Sequence, residues 1–231
     1  MLEKHKLPEI LLVDKPSGIT SFDVIRALRR QTGYRKFGHA GTLDPSASGL
    51  LVLGVGAGTK KLAMYQKQDK TYEAVIYLGS QTSTGDGDGE VINTVPLVEV
   101  HEEEIKRAVQ SLQGTHKLPV SAYSAIKQNG VPLYKKARAA AKRGEVLQDV
   151  PYRTMTVYEA VYQGTRRYGN HLLTSCTFDV SSGTYIRSLA EYLGKTLGYP
   201  AHLDSLRRTR VGDFSINEAY QLNDIATNDT N

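Results

Sequence analysis

Apolar and polar residues alternate with two different periods along this chain, and the switches between them mark its elements. EILLVDK is a short apolar run closed by Lys15-Pro16-Ser17-Gly18, which predicts a strand and then a turn. Thr20 and Ser21 suit an N-cap. Behind them Val24, Ile25 and Leu28 fall at helical spacing, with Arg26, Arg29 and Arg30 on the other face. QTGYRKFGHAGTLDPSASG is polar and holds glycines, so a loop is expected, and the LLVLGVG after it predicts a buried strand. KTYEAVIYLG alternates and predicts another strand. SQTSTGDGDGEV reads as a Gly/Asp turn into a return strand. Glu102–Leu112 predicts a helix, with acids in its first turn and Gly114 beyond its end.

Residues 115–150 differ in character. They are basic, contain Tyr123 and Tyr134, and end in an Ala/Lys/Arg helix over Tyr134–Arg143, so an excursion from the core is expected. TMTVYEAVYQ and HLLTSCTFDV then predict two strands joined by a basic turn, Gly164–Asn170. Thr184–Leu197 predicts the strongest helix: Ile186, Leu189, Ala190, Leu193 and Leu197 share one face, and Gly198 follows. Strands with interspersed helices, but no regular βα alternation, predict an α+β fold on a mostly antiparallel sheet.

Composition narrows the class. The 231 residues are 40% hydrophobic and 23% charged, enough for a sizeable core, and their number allows one large domain or one domain with a small appendage. Cys176 is the one cysteine, which excludes an intrachain disulfide, and its strand context makes it a small buried hydrophobe. No apolar run is long enough to span a bilayer and no signal peptide is visible, so a reduced cytoplasmic location is expected. The net charge of +5 is mild, but its distribution is not. Residues 81–105 carry seven acids and no Lys or Arg, whereas residues 117–167 carry ten basic residues against three acids. A middle segment of that sign suits a polyanion as well as plain solvent.

Two places are chemically unusual. Gly38, Gly41 and Gly49 make a permissive loop that presents Asp44, followed by Pro45, at the rim of a buried strand. Such an acid reads as a nucleophile or general base, or else as an ordinary Asp-Pro turn. Arg187 stands early in the strongest helix, where the dipole disfavours a cation; a carboxylate partner would explain it, and so would simple exposure. Tyr72 is either a half-buried strand residue or a platform for a base. No phosphate-binding loop, dinucleotide fingerprint, calcium loop, histidine metal motif or serine elbow is present, and DGDGE reads as a hairpin turn. No cofactor and no metal are expected.

Taken together, DKPSGITS, GHAGTLDPSASGLL, KTYEA, SAYSAIKQNGVPLYKKAR and GTYIRSLAEYLG resemble the TruB family of pseudouridine synthases, in the right order over roughly residues 9–222. The resemblance implies the pseudouridine synthase fold, a central mixed and mostly antiparallel sheet flanked by helices, with residues 115–150 as a basic RNA-gripping insertion. It implies conversion of uridine to pseudouridine at position 55, in the T-arm of tRNA. No apolar dimer stripe is visible along the chain, so a monomer is expected. Asp44 would be the catalytic aspartate, Arg187 its partner and Tyr72 the residue stacked on the target base. Tyr185 and Leu206 would line the pocket, His39 would hold the T-loop and Lys15 would support the Gly-rich loop. Lys135, Lys136 and Arg138 would contact phosphates. Ala40 and Ser46 depart from the family pattern beside Asp44, which bears on loop packing rather than chemistry. Many bacterial members run on into a further small domain, so a single catalytic domain over residues 1–231, a short form without a C-terminal PUA-like domain, is expected. A non-catalytic tRNA-folding helper, or a synthase acting on another structured RNA, would use the same basic surface.

Overall fold

The first apolar run forms strand β1 (Ile10–Lys15), and the helical pattern after it forms α1 (Ser21–Thr32) in a computed structural model that describes residues 7–97, 100–145, 147 and 149–225. Thr20 begins α1 through a capping box: its Oγ1 accepts from the Asp23 N–H at 3.0 Å, and its own N–H donates to the Asp23 carboxylate at 2.8 Å. Gly33 ends the helix at φ 74°, a conformation that costs other residues a clash. The expected loop after α1 is not wholly irregular. Phe37–His39 pairs as β2 with β3 (Ser48–Val55), because burying Phe37 brings that backbone to the strand's edge.

A short 3₁₀ turn leads to α2 (Leu62–Gln66), then β4 (Lys70–Leu78), β5 (Ser80–Thr82), β6 (Val91–Thr94) and α3 (Glu102–Gln110). The Gly/Asp turn does join two paired strands, β5 and β6. The excursion is shorter than expected. Gly114–Pro119 is a sheet strand, β7, paired with Tyr152–Val157, and only the chain beyond it leaves the sheet. There β8 (Lys127–Gln128) and β9 (Val131–Pro132) form a small hairpin before α4 (Leu133–Ala141).

The basic turn at 164–170 is a second correction. Strand β10 (Tyr152–Tyr168) and strand β11 (His171–Val180) stay paired up to Tyr168↔His171, so only Gly169 and Asn170 turn. A register shift between Tyr162 and Gly164, where φ reaches 140°, lets β10 continue through the polar stretch. Helix α5 (Ile186–Leu197) follows, and Gly198 caps it at φ 79°. The sequence pattern missed β12 (Ala201–Val211), and β13 (Phe214–Ser215) and β14 (Tyr220–Gln221) after it.

The chain divides into two compact units, Met1–Glu73 with Leu206–Asn231, and Ala74–Ser205. In the first, strands run β14–β1–β3–β12, with β2 on β3 and β13 on β12. The pairs β1/β14 and β3/β12 are parallel and β1/β3 is antiparallel. Leu51 and Leu53 of β3 pack with Leu11, Val13 and the α1 stripe Val24, Ile25 and Leu28. Leu50 and Val52 point the other way, into Ala40, Leu62 and Val211. Covering both faces explains why β3 is apolar throughout rather than alternating.

In the second unit the order is β4–β11–β10–β7. Phe178, Val180, Met155 and Val157 are fully or almost fully buried there, as are Ile105, Val109, Leu189 and Leu193 of the helices. Cys176 is buried, and burial pushes its thiol up to about 12. The fold is mixed α+β on a mostly antiparallel sheet. Among the described residues no helix is long and apolar enough to cross a membrane. Two residues counted in the charge and histidine patterns, His5 and Glu99, lie outside the described residues.

Candidate functional site

Asp44 sits half-buried in the segment between β2 and β3, and hydrogen bonds hold the backbone on both sides of it. Ser21 Oγ, at the start of α1, accepts from the Leu43 N–H at 3.0 Å and donates to the Leu43 carbonyl at 3.1 Å. The Gly18 N–H donates to the Pro45 carbonyl at 2.8 Å, and Ser17 Oγ to the Ser46 carbonyl at 2.7 Å. The Ala47 N–H closes a tight turn onto the Asp44 carbonyl at 3.1 Å. The DKPSGITS turn is therefore the mould into which the Asp44 loop is cast.

Two buried cations complete it. Lys15, with no exposed surface, ends β1 and donates from Nζ to the carbonyls of Pro16 (2.9 Å), Ile19 (2.7 Å) and Pro45 (3.3 Å). Burial holds its ammonium down to about 8, partly offset by the negative charge of Asp44 and reinforced by the positive charge of Arg208. Arg208 of β12 is 1% exposed. Its Nε donates to the Leu50 carbonyl at 2.8 Å and its Nη2 to the Gly41 carbonyl at 3.3 Å, so one guanidinium holds both ends of the loop. Hydrogen bonds to a charged group contribute about 1.5–3 kcal/mol each. The clamp needs Gly49, paired with Arg208 across β3 and β12: its φ is 105°, and a Cβ there would collide with the Arg208 backbone.

His39 and Leu206 belong to the same unit. His39 lies on β2 opposite Leu53, and burial pushes its imidazole down, helped by the Arg208 charge and opposed by the Gly41 backbone. Its Nδ1 is buried without a hydrogen-bond partner among the described residues. Leu206 is half-buried on β12, on the strand face that also carries Arg208. Arg207 points the other way and forks onto Asp14 at 3.1 and 2.7 Å. Tyr72, on β4, is 8% exposed.

The second unit holds Tyr185 and Arg187. Tyr185 is the half-buried N-cap of α5, and Arg187 is buried in that helix's first turn. Arg187 Nη1 lies 3.3 Å from Asp86 Oδ2 and donates to the Thr84 carbonyl at 3.2 Å; Nη2 donates to the Tyr123 carbonyl at 3.4 Å. A carboxylate does stand beside this cation, at the centre of the DGDGE turn. Asp86 is fixed in turn, its Oδ1 accepting from the Thr84 hydroxyl and from the Asp88 N–H. Glu191, one turn along α5, is pushed up by burial and pulled down by Arg187. The Tyr123 bond ties the start of the basic excursion to Arg187. Lys135 and Arg138 are exposed on α4 and Lys136 is half-buried, its Nζ donating to Gln128 Oε1 at 3.0 Å.

Sequence reasoning missed Arg208 and Asp86. An acid between two glycines was the available signal for Asp86; Arg208, inside the polar run SLRRTR, carried no local one. Among the described residues no three His, Cys, Asp or Glu side chains converge as metal ligands.

A carboxylate on a loop braced at both ends, together with a basic α4 surface, suits chemistry on a polyanion. Residues 29–186 match the family model described as TruB family pseudouridylate synthase (N terminal domain), and residues 187–230 match that described as tRNA pseudouridylate synthase B C-terminal domain. The class is thus that of the pseudouridine synthases, which are isomerases. The chain is 44% identical over 217 residues to a Mycobacterium sp. (strain KMS) protein named tRNA pseudouridine synthase B, covering 94% of this chain and 71% of the relative. A Corynebacterium efficiens protein of the same name is 43% identical over 221 residues, covering 95% and 72%. The crystal structure of a Cbf5-Nop10-Gar1 complex contains a chain that superposes with a TM-score of 0.67 at 26% identity over 96% of this chain, which spans 56% of that chain's length. This protein belongs to the TruB family.

Proposed function

We propose that this chain converts uridine to pseudouridine in tRNA, at position 55 of the T-arm, with Asp44 as the catalytic carboxylate. One observation carries the reading: Lys15, Ser21 and Arg208 hold the backbone on both sides of Asp44, so its carboxyl is presented without a search for geometry. The reaction breaks the C1′–N1 bond, turns the base and joins C1′ to C5. The proton lost from C5 is balanced by one gained at N1, so nothing is oxidised and no energy source is consumed.

The family resemblance supports the remaining roles. Arg187 is the guanidinium that serves Asp44, and Asp86 fixes the angle at which Arg187 is offered. Tyr72 stacks on the target base, Tyr185 and Leu206 wall the pocket, and His39 holds the T-loop after the target base has left the stack. Extruding the nucleotide costs a few kcal/mol. A stacking aromatic returns about 1–3 kcal/mol, and Lys135, Lys136 and Arg138 on phosphates add to it.

The test is incubation with an unmodified T-arm stem–loop and chemical mapping of pseudouridine. Wild type is expected to modify the one uridine, and Asp44→Asn to bind the RNA and form no product. Equally little product from both, over long incubation, would overturn the enzyme reading. Full activity of Asp44→Asn in tRNA refolding would then favour a folding helper.

A further inference from the structure

The basic residues of the β10–β11 hairpin take no part in the site described above. Arg166, Arg167 and Tyr168 are all exposed, Tyr168 by 60%. From Ala160 to Phe178 the chain contains no acid. Among the described residues neither guanidinium is ion-paired. On adjoining elements Glu102 accepts from the Tyr162 hydroxyl at 2.7 Å, and Asp204 acts electrostatically on Tyr77.

The tip is not a loose loop. Tyr168 pairs with His171 across a two-residue turn whose first position, Gly169, takes φ 59°, as tight hairpins require. The Tyr168 ring meets Tyr77 edge-on, with centroids 6.1 Å apart. Tyr77 in turn stacks on His202 at 4.9 Å and 18°, and lies 5.2 Å from His171. His202 is buried and its Nδ1 lies 2.8 Å from the Ser80 carbonyl. An exposed tyrosine is therefore held in place by a row of rings rooted in the interior, which removes most of the ordering cost of stacking on it. Arg166 shares its face, and Arg167 projects from the other.

This tip is remote from the Arg187 end of the same unit. Strand β11 has ten residues between the turn and Val180, a span of about 33 Å. We propose that the β10–β11 hairpin tip is a second RNA-binding surface, taking a part of the tRNA outside the T-arm, with Arg166 and Arg167 on phosphates and Tyr168 under an unpaired base. The proposal rests on the tRNA reading above. Three features of one hairpin, two unpaired cations on opposite faces and a pre-set ring, match what a folded RNA displays: phosphates on both sides of a splayed base.

The experiment compares an isolated T-arm stem–loop with full-length unmodified tRNA, for wild type and for the triple variant Arg166→Ala, Arg167→Ala, Tyr168→Ala. The triple variant is expected to bind full-length tRNA about tenfold or more weakly. Its log Kd against log salt should be shallower by about 1.4–1.8, for two phosphates. Stem–loop affinity and turnover should stay at the wild-type level. The double variant Arg166→Glu, Arg167→Glu leaves the Tyr168 packing in place and should show the same selective loss, which covers the case of an alanine variant that melts early. A wild-type Kd and salt slope on full-length tRNA would overturn the proposal, and so would an equal loss on both RNAs. If wild type forms pseudouridine in neither RNA, the functional reading fails, while the binding comparison still decides the hairpin.

Discussion

Arg187 and Asp86 form a buried ion pair, Nη1 to Oδ2 at 3.3 Å, with side chains only 8% and 11% exposed. Breaking a pair buried to this degree by removing one partner costs about 3–5 kcal/mol, because the remaining charge is left in a poor solvent. Asp86→Ala is expected to lose stability at the lower end of that range, since the Thr84 and Tyr123 carbonyls still receive the guanidinium. Asp86→Asn should keep more stability and still lower kcat about tenfold or more with little change in KM, the mark of a residue acting through another. Urea melts and pseudouridine kinetics read the two effects.

Arg208→Lys preserves the charge and loses the fork. One ammonium has no way to reproduce the planar guanidinium's two fixed reaches, to Leu50 and to Gly41. The loss of one charge-assisted hydrogen bond, about 1.5–3 kcal/mol, is expected. Amide exchange should quicken over residues 41–50, and product formation should fall about tenfold. An unchanged exchange pattern would show that the loop holds its shape without the clamp.

The ammonium of Lys15 titrates near 8 when folded, chiefly through burial, against 10.5 when free. The unfolded chain therefore binds more protons between those two values, and stability rises with pH across the window. Thermal melts of wild type and Lys15→Met should show wild type gaining ground as pH climbs from about 8 towards 10.5, and losing that gain as pH falls through 8. A gap between the two that does not vary with pH would remove this coupling.

Gly49→Ala introduces a methyl against the Arg208 backbone at φ 105°. Strain of this kind plus overpacking costs about 2–4 kcal/mol. For a chain of this size that lowers Tm by about 10 °C. A melt within a degree or two of wild type would mean that β3 and β12 separate easily.

Replacing Lys135, Lys136 and Arg138 together with alanine should leave the fold intact, because α4 buries Leu133, Ala137 and Ala140 instead. The salt slope of RNA binding should fall by about 2.1–2.7, for three phosphates. An unaltered slope would take α4 off the RNA surface.

Helices α1, α3 and α5 are legible in the sequence because stripe and stop signal lie within a dozen residues of each other, as with Thr20, Leu28 and Gly33. Strand β12 is not, because the partners that make its arginines acceptable are far away: Arg208 is 158 residues from Leu50, and Arg207 is 193 from Asp14. Polarity that gives no strand pattern locally is satisfied at long range. The β10–β11 hairpin was cut short for a related reason, since cross-strand pairing carries β10 through residues with no apolar alternation. Asp44 and Arg187 stood out as local oddities, an acid ahead of a proline and a cation at the wrong end of a helix. Asp86 did not, because an aspartate between glycines is what a turn ordinarily contains.

The unit that carries Asp44 is assembled from both ends of the chain, residues 1–73 and 206–231, with all of 74–205 synthesised in between. At about 5–20 residues per second the ribosome takes roughly 7–26 s over that interval. Through it β1, α1 and β3 exist with neither β14 nor β12 to pair with, and the Asp44 loop exists before Arg208 has been made. A nascent chain therefore carries the Asp44 loop well before the guanidinium that braces it, and the loop stays unclamped until β12 emerges.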